Sequence, residues 1–138
     1  MKKQVCYDPL EWPSYFDTKE KINDIVPLYI AGNQGHVFLC MHGAGHSALS
    51  FGMLAKYLKH SYTVAAFDFR GHGDNYTENE TDMSEETLIN DAIDVMKYVC
   101  HKYNEASIIV VGHSMGGSIA TKATAKVLHD YTAEEWHK

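Results

Sequence analysis

The pattern of apolar and polar positions along this 138-residue chain predicts strands that alternate with helices. Continuous apolar runs at residues 36–41, 62–69 and 107–111 are typical of strands buried on both faces. The run at residues 25–30 also predicts a strand. Its Pro27 indicates the edge of a sheet, because proline cannot donate a hydrogen bond to a neighbouring strand.

Three helices are predicted between and after these strands. Apolar residues about four positions apart predict helices over residues 48–59 and 85–103, the second with Ser84 as its N-cap. A third should begin directly after the last strand and continue to about residue 128. The alternation predicts an α/β fold with a doubly wound, mostly parallel sheet, helices on both faces and right-handed crossovers.

Composition narrows the class of protein. Hydrophobic residues make up 45% and charged residues 22% of the chain, which is typical of a globular domain. The formal net charge of −6 speaks against a nucleic-acid partner, which usually requires a basic patch. No apolar run approaches the roughly 18 residues that could span a membrane, and the N-terminus has no apolar signal segment. Three widely spaced cysteines predict reduced thiols in a cytoplasmic or nuclear protein.

Three unusual loops directly follow the predicted strands, at residues 42–47, 70–74 and 112–116. In an open α/β sheet, ligands bind beyond the carboxyl ends of the strands. We therefore expect these three loops to lie together at one edge of the sheet and to form the functional site.

The third loop has the sequence Gly112-His113-Ser114-Met115-Gly116 and fits the G-x-S-x-G pattern of a nucleophile elbow. A sharp turn from strand to helix would lift the Ser114 Oγ out of the sheet. Bulky residues two positions before and after the serine would clash in such a turn, and glycine at both positions removes the clash. Ser114 is therefore the predicted nucleophile.

The backbone N–H of Met115, at the start of the helix, is one predicted oxyanion donor. A second must come from an earlier loop, and we assign it to Ala44, with Gly45 as the fallback. A zinc site at His42 and His46 fits poorly, because they lie in a glycine-rich loop and no third ligand stands out. We predict neither a metal nor a cofactor.

Asp68, near the end of the strand before the second loop, and His72 within that loop could be mistaken for the partners of Ser114, with Arg70 between them. In α/β-hydrolases the acid and then the histidine follow the serine, whereas Asp68 and His72 precede it. We expect these residues to brace the loop through hydrogen bonds. The residues assigned to the elbow and its supporting loops are His42, Gly43, Gly112, His113, Gly116, Asp68 and Arg70.

The segment after the third helix offers no convincing base for Ser114. It contains His129, Asp130 and His137, in a polar stretch and at the wrong order or distance for a triad. We therefore expect the triad acid and base to be missing from this chain, which would leave it inactive or nearly so. The shortened sheet should also make it poorly soluble.

The chain resembles the α/β-hydrolases, and specifically the protein phosphatase methylesterases. The resemblance reaches to about residue 125 and covers the N-terminal portion of that fold, up to the helix after the elbow. It rests on the segments "DPLEWPSYFD", "HGAGHSALSF", "DFRGHG" and "GHSMGGSIA". The sequence departs from the family pattern at three positions, with Ala44 in place of a glycine, Phe51 of a tryptophan and Gly71 of a serine.

The resemblance implies a serine esterase that removes the methyl group from the C-terminal leucine of the protein phosphatase 2A catalytic subunit. That subunit would be the partner, Ser114 the nucleophile, and Ala44 and Met115 the oxyanion donors. Two alternatives stay open, which are a non-catalytic phosphatase-binding chain and another hydrolase such as a lipase or thioesterase. We divide the chain into an irregular arm (1–20), a partial hydrolase domain (21–129) and a polar tail (130–138).

Overall fold

A five-stranded sheet organises the molecule. The computed structural model describes residues 11–77 and 81–131. The strands are β1 (Thr18–Ile22), β2 (Val26–Ala31), β3 (Val37–Met41), β4 (Thr63–Phe67) and β5 (Ile108–Gly112). They lie in the order β1-β2-β4-β3-β5. The pairs β4–β3 and β3–β5 are parallel, whereas β1–β2 and β2–β4 are antiparallel. The sheet is therefore mixed, with its parallel part at the strands that carry the three loops.

Helices cover both faces of the sheet, as the sequence predicts. They are α1 (Gly52–Leu58), α2 (Glu85–Lys102) and α3 (Met115–Asp130), with 3-10 turns at Trp12–Ser14 and Ala48–Phe51. The predicted helix over residues 48–59 is thus a 3-10 turn followed by a short α-helix. Ser84 caps α2 as predicted, since its hydroxyl accepts a hydrogen bond from the backbone N–H of Thr87. None of the helices in the described ranges is both long and apolar enough to cross a lipid bilayer.

Two hydrophobic clusters lie on opposite faces of the sheet. Leu39 and Met41 of β3 belong to the cluster under α2 and α3. Cys40, between them, belongs to the cluster under α1. Successive side chains of a strand point to opposite faces, so β3 is buried on both sides, as its continuous apolar sequence predicts.

The prediction that Pro27 places its strand at the sheet edge is wrong. Strand β2 lies between β1 and β4, with Lys21 of β1 opposite Pro27. The Pro27 carbonyl accepts a hydrogen bond from Asp68 just past the end of β4, where the β2–β4 pairing stops. The proline nitrogen faces the same side and cannot return a hydrogen bond to the Asp68 carbonyl, which accepts one from Asn75 Nδ2 at 2.7 Å instead.

Strand β5 is not buried on both faces, contrary to the prediction. It lies at the edge of the sheet and only β3 pairs with it among the described residues. Ile109 is 40% exposed. Apolar residues make a strand suited to burial on both faces, but how far the strand is buried depends on which elements lie beside it.

The sequence pattern missed β1, which begins at Thr18 within the segment predicted to be an irregular arm. Its alternation of lysines with Glu20 and Ile22 lacks the apolar run used to find the other strands. The aromatic residues before it pack against the sheet, with Phe16 2% exposed and Trp12 and Tyr15 against the cluster under α1.

Candidate active site

The three predicted loops meet at the carboxyl ends of β3, β4 and β5. The loop after β3 lies close to the elbow. A Cβ built on Gly43 would lie 3.3 Å from the Cβ of Ser114 and 3.1 Å from His113 Nδ1. The same loop contacts the loop after β4, since the Gly45 N–H donates to His72 Nε2 at 3.0 Å. The convergence predicted from the order of strands is confirmed by these contacts.

Ser114 stands in a strained turn between β5 and α3. Its φ is 55° and its ψ is −121°, and positive φ is uncommon for a residue with a Cβ. The hydroxyl does not cap α3, although the residue occupies the N-cap position. The side chain is exposed at the edge of the sheet. This is the backbone conformation that an elbow requires.

The glycines on either side of Ser114 are required by close packing. A Cβ on Gly112 would lie 2.5 Å from the Cα of Gly117. A Cβ on Gly116 would lie 2.1 Å from the carbonyl oxygen of Met41, at the end of β3. Both obstacles are backbone atoms that cannot move aside, so this turn excludes any side chain at either position.

Two backbone segments near Ser114 carry the N–H groups that are candidates for oxyanion donors. Met115 is the first residue of α3, where N–H groups have no partner within the helix. The loop after β3 forms a turn in which His46 N–H donates to the Gly43 carbonyl at 3.1 Å. Gly45, third in this turn, has φ +75°, which is typical of a type II turn. Because the Gly45 N–H is engaged by His72, Ala44 is the better candidate for a second donor.

His42 is completely buried and links the loop after β3 to the end of β4. Its Nε2 accepts a hydrogen bond from the Phe69 N–H at 3.0 Å, and its Nδ1 lies 2.8 Å from the Gly43 carbonyl oxygen. Since the backbone N–H can only donate and the carbonyl can only accept, the ring is neutral with its proton on Nδ1. Burial accordingly lowers the pKa of His42.

The metal interpretation of the two histidines finds no support in the described ranges. His46 lies near Ser50, with its Nδ1 3.4 Å from the hydroxyl. No cluster of three or more potential metal-ligating side chains occurs within residues 11–77 and 81–131.

Asp68 is buried and holds the two neighbouring loops together. Its carboxylate accepts hydrogen bonds from the backbone of Ala48 at 2.8 Å and of Asp74 at 3.0 Å. The Tyr29 hydroxyl adds a third at 3.3 Å. A buried carboxylate needs such donors to offset its lost hydration. Its contacts are those of a brace, and Tyr29, in the middle of β2, carried no sequence signal for this contact.

Arg70 fastens the loop after β4 to α2. Its guanidinium makes a bidentate (two-pronged) contact with the Asp91 carboxylate, in which Nε donates to Oδ2 at 2.6 Å and Nη2 donates to Oδ1 at 2.9 Å. The Arg70 carbonyl oxygen lies 2.9 Å from His72 Nδ1. Asp91 lies 21 residues after Arg70, at a polar position of the predicted helix. Sequence spacing therefore could not identify it as the partner of Arg70.

No base contacts Ser114 in the part of the chain that the structure describes. The hydroxyl has no hydrogen-bond partner among residues 11–77 and 81–131. His129 pairs instead with its neighbour Asp130, at 2.9 Å. His129 and Asp130 lie at the C-terminal end of the 16-residue helix α3, whereas Ser114 lies at its N-terminal end. At 1.5 Å per residue, the two ends are about 24 Å apart. His137 lies outside the described residues.

The sequence match agrees with this geometry. Residues 32–134 match the family described as "Serine aminopeptidase, S33". The chain belongs to this hydrolase family. It is 40% identical over 116 residues to the "Probable protein phosphatase methylesterase 1" of Caenorhabditis elegans, covering 80% of this chain and 32% of that protein. The "Protein phosphatase methylesterase 1" of Mus musculus is 32% identical over 130 residues, covering 86% of this chain and 33% of that protein.

Solved structures show the same α/β-hydrolase fold. A thioesterase domain from the curacin biosynthetic pathway matches with a TM-score of 0.64 and 26% identity, covering 80% of this chain and 41% of that one. An epoxide hydrolase from Vigna radiata matches with a TM-score of 0.65 and 20% identity, over 80% of this chain and 34% of that one. The chain spans about a third of the length of the methylesterases it matches.

Proposed function

We propose that this chain carries the nucleophile and the oxyanion-binding half of a carboxylic ester hydrolase of the protein phosphatase methylesterase type. The observation that carries the proposal is the strained backbone of Ser114, with φ 55°, between the end of β5 and the start of α3. The methylesterases among its relatives favour a protein methyl ester over the lipid or thioester substrates of other hydrolases.

In the proposed reaction, the Ser114 Oγ attacks the ester carbonyl carbon and its proton passes to a base. The N–H groups of Met115 and Ala44 stabilise the negative charge that develops on the carbonyl oxygen. The tetrahedral intermediate expels methanol and leaves an acyl-serine, which water hydrolyses to the free carboxylate. Neither a metal nor a cofactor takes part.

The proposed substrate is the methyl ester of the C-terminal leucine of the protein phosphatase 2A catalytic subunit, in the cytoplasm or nucleus. We further propose that the chain by itself reacts slowly. Within the described residues no base contacts Ser114, and losing the base of a serine hydrolase lowers the rate by several orders of magnitude.

A serine-directed fluorophosphonate tests the nucleophile. Its phosphorus would form a bond to the Ser114 Oγ and release fluoride, which intact-mass measurement follows over time. We expect slow, partial labelling that is absent from the Ser114→Ala variant. Labelling that survives this substitution would refute the nucleophile assignment. Rapid, complete labelling lost in Ser114→Ala would instead show that the chain contains its own base.

The second oxyanion donor can be removed without changing the shape of its turn. Ala44 occupies the second position of a type II turn, where proline is favoured. Ala44→Pro deletes the N–H and should lower the rate of labelling by about 10²–10³-fold. Ala44→Gly, which keeps the N–H, is the matched control. Equal rates in the two variants would exclude Ala44 as a donor.

A second candidate function is phosphatase binding without catalysis, and it is favoured because no base contacts Ser114 within residues 11–77 and 81–131. A pull-down with purified protein phosphatase 2A catalytic subunit, combined with an assay for methanol release, separates the two. Binding of wild-type and Ser114→Ala chains without methanol release would support this candidate, and absence of binding would remove it.

A further inference from the structure

The two peptide groups that flank Ala44 are each held by a different histidine. The carbonyl of the Gly43–Ala44 peptide accepts hydrogen bonds from His42 Nδ1 at 2.8 Å and from the His46 N–H at 3.1 Å. The N–H of the following Ala44–Gly45 peptide donates to His72 Nε2 at 3.0 Å. The orientations of both peptide planes, and hence the backbone angles of Ala44, are therefore constrained from two sides.

The two histidines have the same hydrogen-bonding arrangement. Each ring accepts a backbone N–H at Nε2, from Phe69 for His42 and from Gly45 for His72. Each Nδ1 faces a backbone carbonyl, of Gly43 for His42 and of Arg70 for His72. Both rings are thus neutral with the proton on Nδ1, and their centroids lie 5.1 Å apart.

The His72 contact lies nearer the surface than the His42 contact. His42 is fully buried, whereas His72 is half-buried at the surface. A type II turn differs from a type I turn by the orientation of its central peptide, which here is the Ala44–Gly45 peptide. Nothing lies within 4 Å of a Cβ built on Gly45, so the turn is open on that side. The hydrogen bond from the Gly45 N–H to His72 restrains the orientation of this peptide.

We propose that His72 is a positioning residue that fixes the central Ala44–Gly45 peptide of the turn beside Ser114, and so holds the turn that bears the Ala44 N–H in its type II form. His42 holds the preceding Gly43–Ala44 peptide, which carries the Ala44 N–H itself, and so completes the constraint. His72 is in turn held by the Arg70 carbonyl, and Arg70 by Asp91 of α2. Helix α2 thereby helps to position an oxyanion donor that is distant from it in sequence. The consequence for catalysis rests on the proposed function.

Two substitutions at His72 separate its two hydrogen bonds. The side-chain oxygen of glutamine reaches about as far as Nε2, so His72→Gln retains an acceptor for the Gly45 N–H. The amide of asparagine reaches about as far as Nδ1, so His72→Asn retains the donor to the Arg70 carbonyl and loses the acceptor. A role in general stability would make the two variants alike, whereas a positioning role makes glutamine the rescuing variant.

The direct readout is NMR of the ¹⁵N-labelled chain, which requires no enzymatic activity. We expect a scalar coupling across the hydrogen bond between the Gly45 N–H and His72 Nε2 in the wild type. In His72→Asn the amide signals of Ala44 and Gly45 should shift and their hydrogen exchange should accelerate, while His72→Gln stays close to wild type. Absence of the coupling, or equal amide changes in both variants at equal thermal stability, would overturn the proposal.

The functional readout is the rate of fluorophosphonate labelling at Ser114. His72→Asn should slow it by about 10- to 100-fold relative to His72→Gln. If Ala44→Pro slows labelling but the two His72 variants react at equal rates, the assignment of Ala44 as an oxyanion donor stands and the positioning role of His72 is refuted. If Ser114 is never labelled, the proposed function fails, and the amide signals still decide whether His72 orients the turn.

Discussion

Gly116 and Gly117 are neighbours in α3, yet their surroundings differ. A Cβ on Gly116 would overlap the backbone of β3, with 2.1 Å to the Met41 oxygen. A Cβ on Gly117 would find its nearest atom, the Gly112 oxygen, at 3.5 Å, which is an ordinary contact. Close packing therefore requires glycine at position 116 but not at position 117.

These two positions make a matched pair of substitutions. Gly116→Ala should lower the free energy of unfolding by about 2 kcal/mol or more, because backbone atoms would have to separate. Gly117→Ala should leave it unchanged or raise it by up to about 1 kcal/mol, because alanine favours a helix. Urea denaturation followed by circular dichroism measures both. Equal losses would contradict the close approach of α3 to β3.

The buried neutral His42 predicts a dependence of stability on pH. Burial lowers its pKa in the folded chain below the value of about 6.5 in the unfolded chain. The unfolded state therefore binds more protons near that pH. The stabilisation is fully present above about pH 6.5 and is lost as the pH falls through the lowered pKa.

The test compares the free energy of unfolding of wild type and His42→Gln between pH 8 and pH 5. Stability of the wild type should fall more steeply toward low pH than that of the variant, which cannot titrate at this position. Histidines distant from His42 are common to both chains and cancel in the comparison, whereas the interactions of His42 with His46 and His72 are part of the measured difference. Parallel curves would show that His42 does not titrate differently in the folded and unfolded states.

At the scale of elements, the link between α2 and the loop after β4 depends on the Arg70–Asp91 pair. The side chains are 15% and 23% exposed, and the contact is two-pronged. Arg70→Lys keeps the charge but cannot reproduce the planar fork, so we expect a loss of about 1–2 kcal/mol in urea denaturation.

The exposed pair of Lys122 and Glu85 supplies the control for this prediction. Its side chains are 50% and 55% exposed. Lys122→Gln should change the free energy of unfolding by less than about 0.5 kcal/mol, because solvent screens such pairs. If Arg70→Lys is as harmless as Lys122→Gln, the two-pronged contact does not hold the loop to α2.

At the scale of the whole molecule, the unpaired edge of β5 is the surface most prone to association with another chain. Its outer backbone groups have no partner strand in the described residues, and Ile109 is 40% exposed. Such an edge can pair with another chain. We expect concentration-dependent self-association in sedimentation velocity, which Ile109→Lys should reduce. Tyr57→Lys, at a 74% exposed position on α1, should leave it unchanged. A wild-type chain that is monomeric at all concentrations would contradict this prediction.

The two errors in strand placement have a common origin. Apolar residues identify β2 and β5 as strands, but neither Pro27 nor the Ile-Val run of β5 encodes which strand lies alongside. Neighbours in a sheet are decided by how the chain returns across it. β1 was missed for the complementary reason, since an amphipathic hairpin strand follows no continuous apolar run.

The sequence alone determined the α/β class, the three loops at one edge of the sheet and the place of Ser114. Each of these depends on local pattern: apolar runs, helical spacing and glycines two positions before and after a serine. Only the tertiary structure revealed that the Gly45 N–H is engaged by His72, that Asp91 holds Arg70, and that Tyr29 contacts Asp68. These contacts join residues 21 to 39 positions apart, and their geometry depends on how the packed sheet and helices bring the loops together.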